Sequence, residues 1–154
     1  DAYALNELGR RHGVGDGVDK DPAASFRYYD MAARKGLAVA QCNLAYMHLI
    51  GEGTPRDEQQ AFQWYAKCAR QGHATGQYGL GRLYATGSGV PADGREAAKW
   101  FTRAADQGFV DAQQALAWLY ENGVGVARDP ALAALWTQRV KTARSGGNVW
   151  KKSR

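Results

Sequence analysis

A step of 36 residues runs through this chain of 154. Leu8, Leu44, Leu80 and Leu116 fall on it. So do Gly15, Gly51, Gly87 and Gly123, then Gly17, Gly53, Gly89 and Gly125, then Asp21, Asp57, Asp93 and Asp129. A period between roughly 20 and 50 residues marks a solenoid: one supersecondary unit cannot bury its apolar face alone and stacks on copies of itself. The recurring residues build helices and turns, and none carries obvious chemistry. That argues for a scaffold and against an enzyme.

Each unit reads as two antiparallel helices. In the second unit the first helix is predicted from about Ala40 to Leu49, with Leu44 and His48 one turn apart on one face. Gly9, Ala45, Gly81 and Ala117 share a position that admits only small residues, which predicts close approach of two helix backbones. The Gly-x-Gly pair ends the first helix, because glycine takes the left-handed conformation of a helix C-terminus. Asp21, Asp57, Asp93 and Asp129 are N-cap residues for the second helix. Asp57 with Gln60, and Asp93 with Glu96, resemble capping boxes, and Pro22 and Pro130 take the first helical position. The apolar stripe follows as Ala61, Trp64, Tyr65, Cys68 and as Ala97, Trp100, Phe101, Ala104, before Gly36, Gly72 and Gly108 stop the helix.

Taken together, Ala40-Gln41, Leu44, Ala45, Gly51-x-Gly53, Asp57, Ala61, Trp64-Tyr65, Ala69 and Gly72 resemble the Sel1-like repeat family. That family is a 36-residue relative of the tetratricopeptide repeat. The third unit is nearer still, with Leu80-Gly81-x-x-Tyr84, Gly87-x-Gly89-Val90, Asp93, Ala97, Trp100-Phe101, Ala104-Ala105 and Gly108. The resemblance implies an all-α, right-handed α-solenoid of about four repeats, at 2–38, 39–74, 75–110 and 111–144. These form a domain over 1–145, followed by a basic tail over 146–154. Thr137 replaces the aromatic of Tyr29, Tyr65 and Phe101, and Arg144 replaces the terminating glycine, so the fourth unit is expected to close the array.

Composition is ordinary, with 45% hydrophobic and 23% charged residues. No stretch approaches the roughly 18 to 20 apolar residues that a membrane span needs. The net charge of +5 is concentrated at one end: the segment from Arg128 carries seven Lys or Arg against Asp129 alone. A solvated tail is the expectation, with Trp150 docking over the last hairpin and Lys151, Lys152 and Arg154 free. Nucleic-acid binders instead spread basic charge along the binding face. The chain starts at Asp1 without Met. The expected compartment is a bacterial periplasm or cytoplasm, and that start favours the periplasm.

Candidate chemistry gives way to structural readings. The Gly-x-Gly pairs follow helices and lack a Lys-Ser/Thr partner, so they are not phosphate loops. His12 and His48 share the position of Tyr84 and Tyr120 and are expected inside. Copies of one position lie roughly 10 Å apart, too far to share a metal ion, so no metal and no cofactor is predicted. Cys42 and Cys68 lie near one end of one hairpin. A bridge is conceivable there, but Cys42 leaves the Leu44 face by helical phase, and two unbridged small hydrophobes are expected.

The functional signal is a second face of the first helices: Tyr3, Asn6, Arg10, Cys42, Tyr46, Leu49, Tyr78, Arg82, Asp111, Gln114 and Trp118. It varies between units, unlike the core, and carries Tyr, Trp and Arg, the residues enriched at interface hot spots. In related solenoids the first helices line a concave groove. The resemblance therefore implies a monomeric, non-enzymatic adaptor that holds a partner protein or peptide there. The competing structural reading has Tyr46, Tyr78 and Trp118 packing between helices. The alternative function is an immunity protein that occludes a secreted bacterial toxin, such as a lipase of type VI secretion.

Overall fold

A computed structural model describes the backbone of residues 1–149 and side chains through residue 146. Among the described residues there are eight helices and no strand. They are α1 (Ala2–Val14), α2 (Pro22–Arg34), α3 (Ala38–Ile50), α4 (Glu58–Arg70), α5 (Ala74–Thr86), α6 (Gly94–Asp106), α7 (Val110–Asn122) and α8 (Pro130–Val149). Consecutive helices pair as hairpins, and each packs chiefly on its neighbours in sequence. The result is the predicted α-solenoid of four repeats.

The caps act as their sequence suggests, with one difference. Asp21, Asp57 and Asp129 each accept one backbone N–H of the following turn, from Ala24, Gln60 and Leu132, and Asp93 accepts two, from Arg95 and Glu96. The reciprocal half of a capping box is missing. The N–H groups of Asp57 and Asp93 donate instead to the carbonyls of His48 and Tyr84, at 2.8 and 2.9 Å. This bond ties the start of each second helix to the end of the first, and it recurs in all four units.

The two glycines of each pair do different work. The first caps the helix in the left-handed region, as at Gly51 (φ 71°). The second lies against the previous repeat. A Cβ on Gly53 would strike the Pro22 carbonyl, and one on Gly89 the Glu58 carbonyl, whereas Gly17 in the first repeat meets nothing. At the small-residue row the nearest group is an aromatic ring of the paired helix: a Cβ on Gly9 would sit 2.8 Å from the Tyr29 ring, and one on Gly81 2.8 Å from Phe101, with the Ala97 backbone carbonyl next at 3.3 Å.

Leu44 and Leu116 are fully enclosed and Leu80 is 2% exposed, whereas Leu8 on α1 is 37% exposed. Two buried clusters form the interior, one around Leu44 and Leu80 and one around Leu116. A glutamine pair closes the hairpin ends. Gln71 donates to Gln41 Oε1 at 2.8 Å and to the Gly36 carbonyl at 3.0 Å, and Gln107 repeats this with Gln77 and Gly72. In the fourth repeat Ala143 stands at that position, and the buried Gln113 Oε1 has no partner among the described residues. With Arg144 in place of a stop glycine, α8 runs past the expected end of the repeats to Val149. The roles expected of Trp150, Lys151, Lys152 and Arg154 lie outside the described residues.

Cys42 and Cys68 are joined by a disulfide that staples α3 to α4, with Cα atoms 5.7 Å apart. The expectation of two unbridged cysteines is therefore wrong. Both side chains are buried, at 3% and 0% exposure. Cys42 turns off the Leu44 face, but it turns toward the hairpin partner rather than away from the protein.

Candidate protein-binding face

Each of the first helices leaves one row outward. Arg10, Tyr46, Arg82 and Trp118 occupy one repeat position, and all four are exposed. Tyr46 is 53% and Trp118 58% exposed, and Tyr3 at the start of α1 is 72% exposed. Among the described residues these three are the exposed aromatics, and all three lie on first helices. Large aromatic rings left in water are costly unless they serve contact with something else.

The other residues expected on this face divide. Asp111 is exposed. Gln114 is exposed but accepts a bond from Arg144 on α8 at 3.0 Å. Asn6 is half-buried and accepts from Asn43 at 3.2 Å, across the first two repeats. Leu49 is half-buried. Cys42 does not belong to the face, because it is buried and spent in the disulfide. Tyr78 is half-buried and packs at 5.7 Å on Phe101 and 5.1 Å on Phe109, so the packing reading describes this residue. Tyr46 and Trp118 do not follow it.

Two recesses open beside this row at successive repeat boundaries. The first, of about 210 Å³, is lined by Arg10, Tyr29, Asn43, Tyr46 and Glu52, among others. The second, of about 220 Å³, is lined by Leu49, Arg56, Tyr65, Arg82, Thr86 and Ser88, among others. Their charge differs. Arg10 donates to both oxygens of Glu7, at 2.8 and 2.9 Å, and to Asp16 at 2.6 Å; its bonds to Glu7, joined by one from Arg11, hold the pKa of that carboxyl down at about 2. Arg82 has no ion pair among the described residues and leans on the Tyr78 ring at 5.9 Å.

The second helices carry a row that sequence reasoning missed. Lys67 sits 4.1 Å from the Trp64 ring centre, Arg103 4.7 Å from Trp100, and Arg139 4.5 Å from Trp136. The signal was present: a cation three residues after each tryptophan, one helical turn on, repeating at the same step. It was absorbed into the apolar stripe.

The histidines pack on aromatic rings. His12 stacks on Tyr28 at 5.4 Å, and His48 meets Phe26 edge-on at 5.2 Å. One group of metal-type donors lies close together: Cys42, Cys68 and His73, within 4.8 Å of one another. The disulfide uses both sulfurs, so the group offers no thiolate.

Stacked hairpins with a uniform interior and a variable outer row define the class of helical-repeat scaffolds. The Sel1 repeat model matches residues 2–37, 38–73, 74–109 and 110–139, and the chain belongs to the Sel1 repeat family. A protective antigen of uropathogenic Escherichia coli displaying an SLR fold is 37% identical with a TM-score of 0.90, over 92% of this chain and 30% of that one. A Sel1 repeat protein from Oxalobacter formigenes is 34% identical with a TM-score of 0.88, over 92% of this chain and 58% of that one. Cysteine-rich protein B of Helicobacter pylori shares the fold at 22% identity and a TM-score of 0.63, over 80% of this chain and 88% of that one. This chain thus spans less than two thirds of the first two structures. No curated protein matches it. Sel1 repeats form a protein-interaction scaffold, and among the described residues no helix is long and apolar enough to cross a membrane.

Proposed function

We propose that this chain is a non-enzymatic binding module that holds a partner protein or peptide in a groove lined by α1, α3, α5 and α7. The observation that carries the reading is the placement of every exposed aromatic of the described residues on those helices. Arg10, Tyr46, Arg82 and Trp118 form the contact row, with Tyr3, Leu49 and Asp111 beside it. Tyr78 supports the row from beneath and Cys42 takes no part.

The test begins with recovery of the partner by affinity capture from the source cells and its identification by mass spectrometry. Binding is then compared between the native protein and Tyr46→Ala/Trp118→Ala. The double variant should lose more than about 2 kcal/mol of affinity, the loss expected of interface hot spots, at an unchanged unfolding midpoint. Unchanged affinity would remove the groove as the binding site. A tight one-to-one complex with a secreted enzyme would select the inhibitor alternative, which uses the same face.

A further inference from the structure

The solenoid contains one outward position twice in the same chemical form, and only one copy is satisfied. Arg10 and Arg82 lie two repeat steps apart. In the first repeat Arg10 is neutralised by Glu7 and Asp16. Two steps on, those carboxylates are replaced by Gly79 and Ser88. Gly79 has no room for a side chain, because a Cβ there would run into the Tyr65 ring. Arg82 therefore has neither of the acids that hold its counterpart.

The surroundings of Arg82 complete the contrast. The corresponding recess one repeat earlier carries the carboxylate of Glu52, where the recess beside Arg82 carries Ser88. The second cation of the Arg82 recess, Arg56, is paired with Glu58. Tyr65 lines the same recess. Burial pushes the Tyr65 pKa up to about 12 against the opposing pull of the Arg82 charge, so the hydroxyl keeps its proton and can donate. Thr86 and Ser88 bond each other at 2.9 Å at the recess wall.

We infer that the recess around Arg82 takes the carboxylate of an Asp or Glu side chain from the bound segment. The partner supplies in trans what Glu7 and Asp16 supply to Arg10 in cis. A planar guanidinium grips a carboxylate through two parallel bonds, a charge-assisted geometry stronger than neutral pairing. The inference rests on the groove reading above and adds the chemistry of the occupant.

The test is selection of a random peptide library displayed on phage against the purified full chain. Selected peptides should be enriched in Asp and Glu. For one such peptide, Arg82→Gln should weaken binding by about tenfold or more, while Arg34→Gln, on α2 outside the groove and paired internally with Asp30, changes it by less than about twofold. Ser88→Asp rebuilds the internal partner of the first repeat and should mimic Arg82→Gln. All three variants should keep the native unfolding midpoint. Peptides that respond to Tyr46→Ala/Trp118→Ala but show no acidic enrichment, or that ignore Arg82→Gln, would overturn the inference and leave the groove reading standing. Peptides that ignore both sets of substitutions, or a selection that yields none, would overturn both.

Discussion

The tryptophans of the second helices and the aromatics of the outward row on the first helices end in opposite environments. Trp64, Trp100 and Trp136 are 7–8% exposed, each with a Lys or Arg laid over its ring. Tyr46 and Trp118 are more than half exposed and carry no such cover among the described residues. The ring at that position recurs in all four units, as Tyr28 in the first, and serves the stack; in the last three the chain covers it with its own cation. A ring that appears only in some units serves something outside the stack and is left open. Repetition thus separates residues that build the solenoid from residues that use it.

The comparison breaks most readily at Trp100. Trp100→Ala should cost roughly 3 to 5 kcal/mol in urea unfolding, as for a large buried aromatic, while Trp118→Ala should stay within about 0.5 kcal/mol. Similar losses at both sites would mean that the two rows are one core. A smaller effect is expected at the staple between α3 and α4. Cys42→Ala/Cys68→Ala should cost about 2 to 4 kcal/mol, the usual worth of a disulfide. Reductant should lower the wild-type midpoint and leave the double variant unmoved. A midpoint insensitive to reductant, together with two thiols titrated in denaturant without reductant, would contradict the bridge.

Removing a cation rather than a ring sharpens the contrast further. Arg103→Gln should lose about 0.5 to 1 kcal/mol of stability, the worth of an exposed cation–π contact, and a double-mutant cycle with Trp100→Leu should recover that coupling. No coupling would make the cationic cover incidental. The smallest effect is a pH dependence. Burial holds His48 below its ordinary pKa of 6.5, against the charges of Asp57 and Asp30. As pH falls the unfolded chain takes this proton first. The contribution of neutral His48 is therefore complete above the unfolded pKa and is lost as pH falls toward the folded one. His48→Tyr, the residue at positions 84 and 120, should flatten the decline in stability just below pH 6.5. An identical decline in both proteins would assign it elsewhere.

The repeat made the stack legible from residues alone, because Leu44, Asp57 and Gly51 act through local geometry that every copy shares. What escaped depends on which neighbour a residue meets. Leu8 has the same identity and position as Leu44, yet only Leu44 is fully enclosed. Helical phase turned Cys42 off the Leu44 face and stopped there; it did not show that the partner helix lies on that side, with Cys68 at bonding distance. Tyr78 and Tyr46 both looked outward by phase, but Phe109, at the following repeat boundary, closes over Tyr78. The pairing of Arg10 with Glu7 and Asp16 was equally hidden, since a residue position does not reveal which charges its side chain reaches.

The central claim is that partners are held by the first helices and not by the second. Hydrogen–deuterium exchange of the full chain, with and without its captured partner, reads this directly. The account predicts slowed exchange on binding in α3, α5 and α7 around Tyr46, Arg82 and Trp118, with α4 and α6 unchanged around Trp64 and Trp100. Protection confined to α4, α6 and α8 would contradict it and move recognition to the cation-covered tryptophan row.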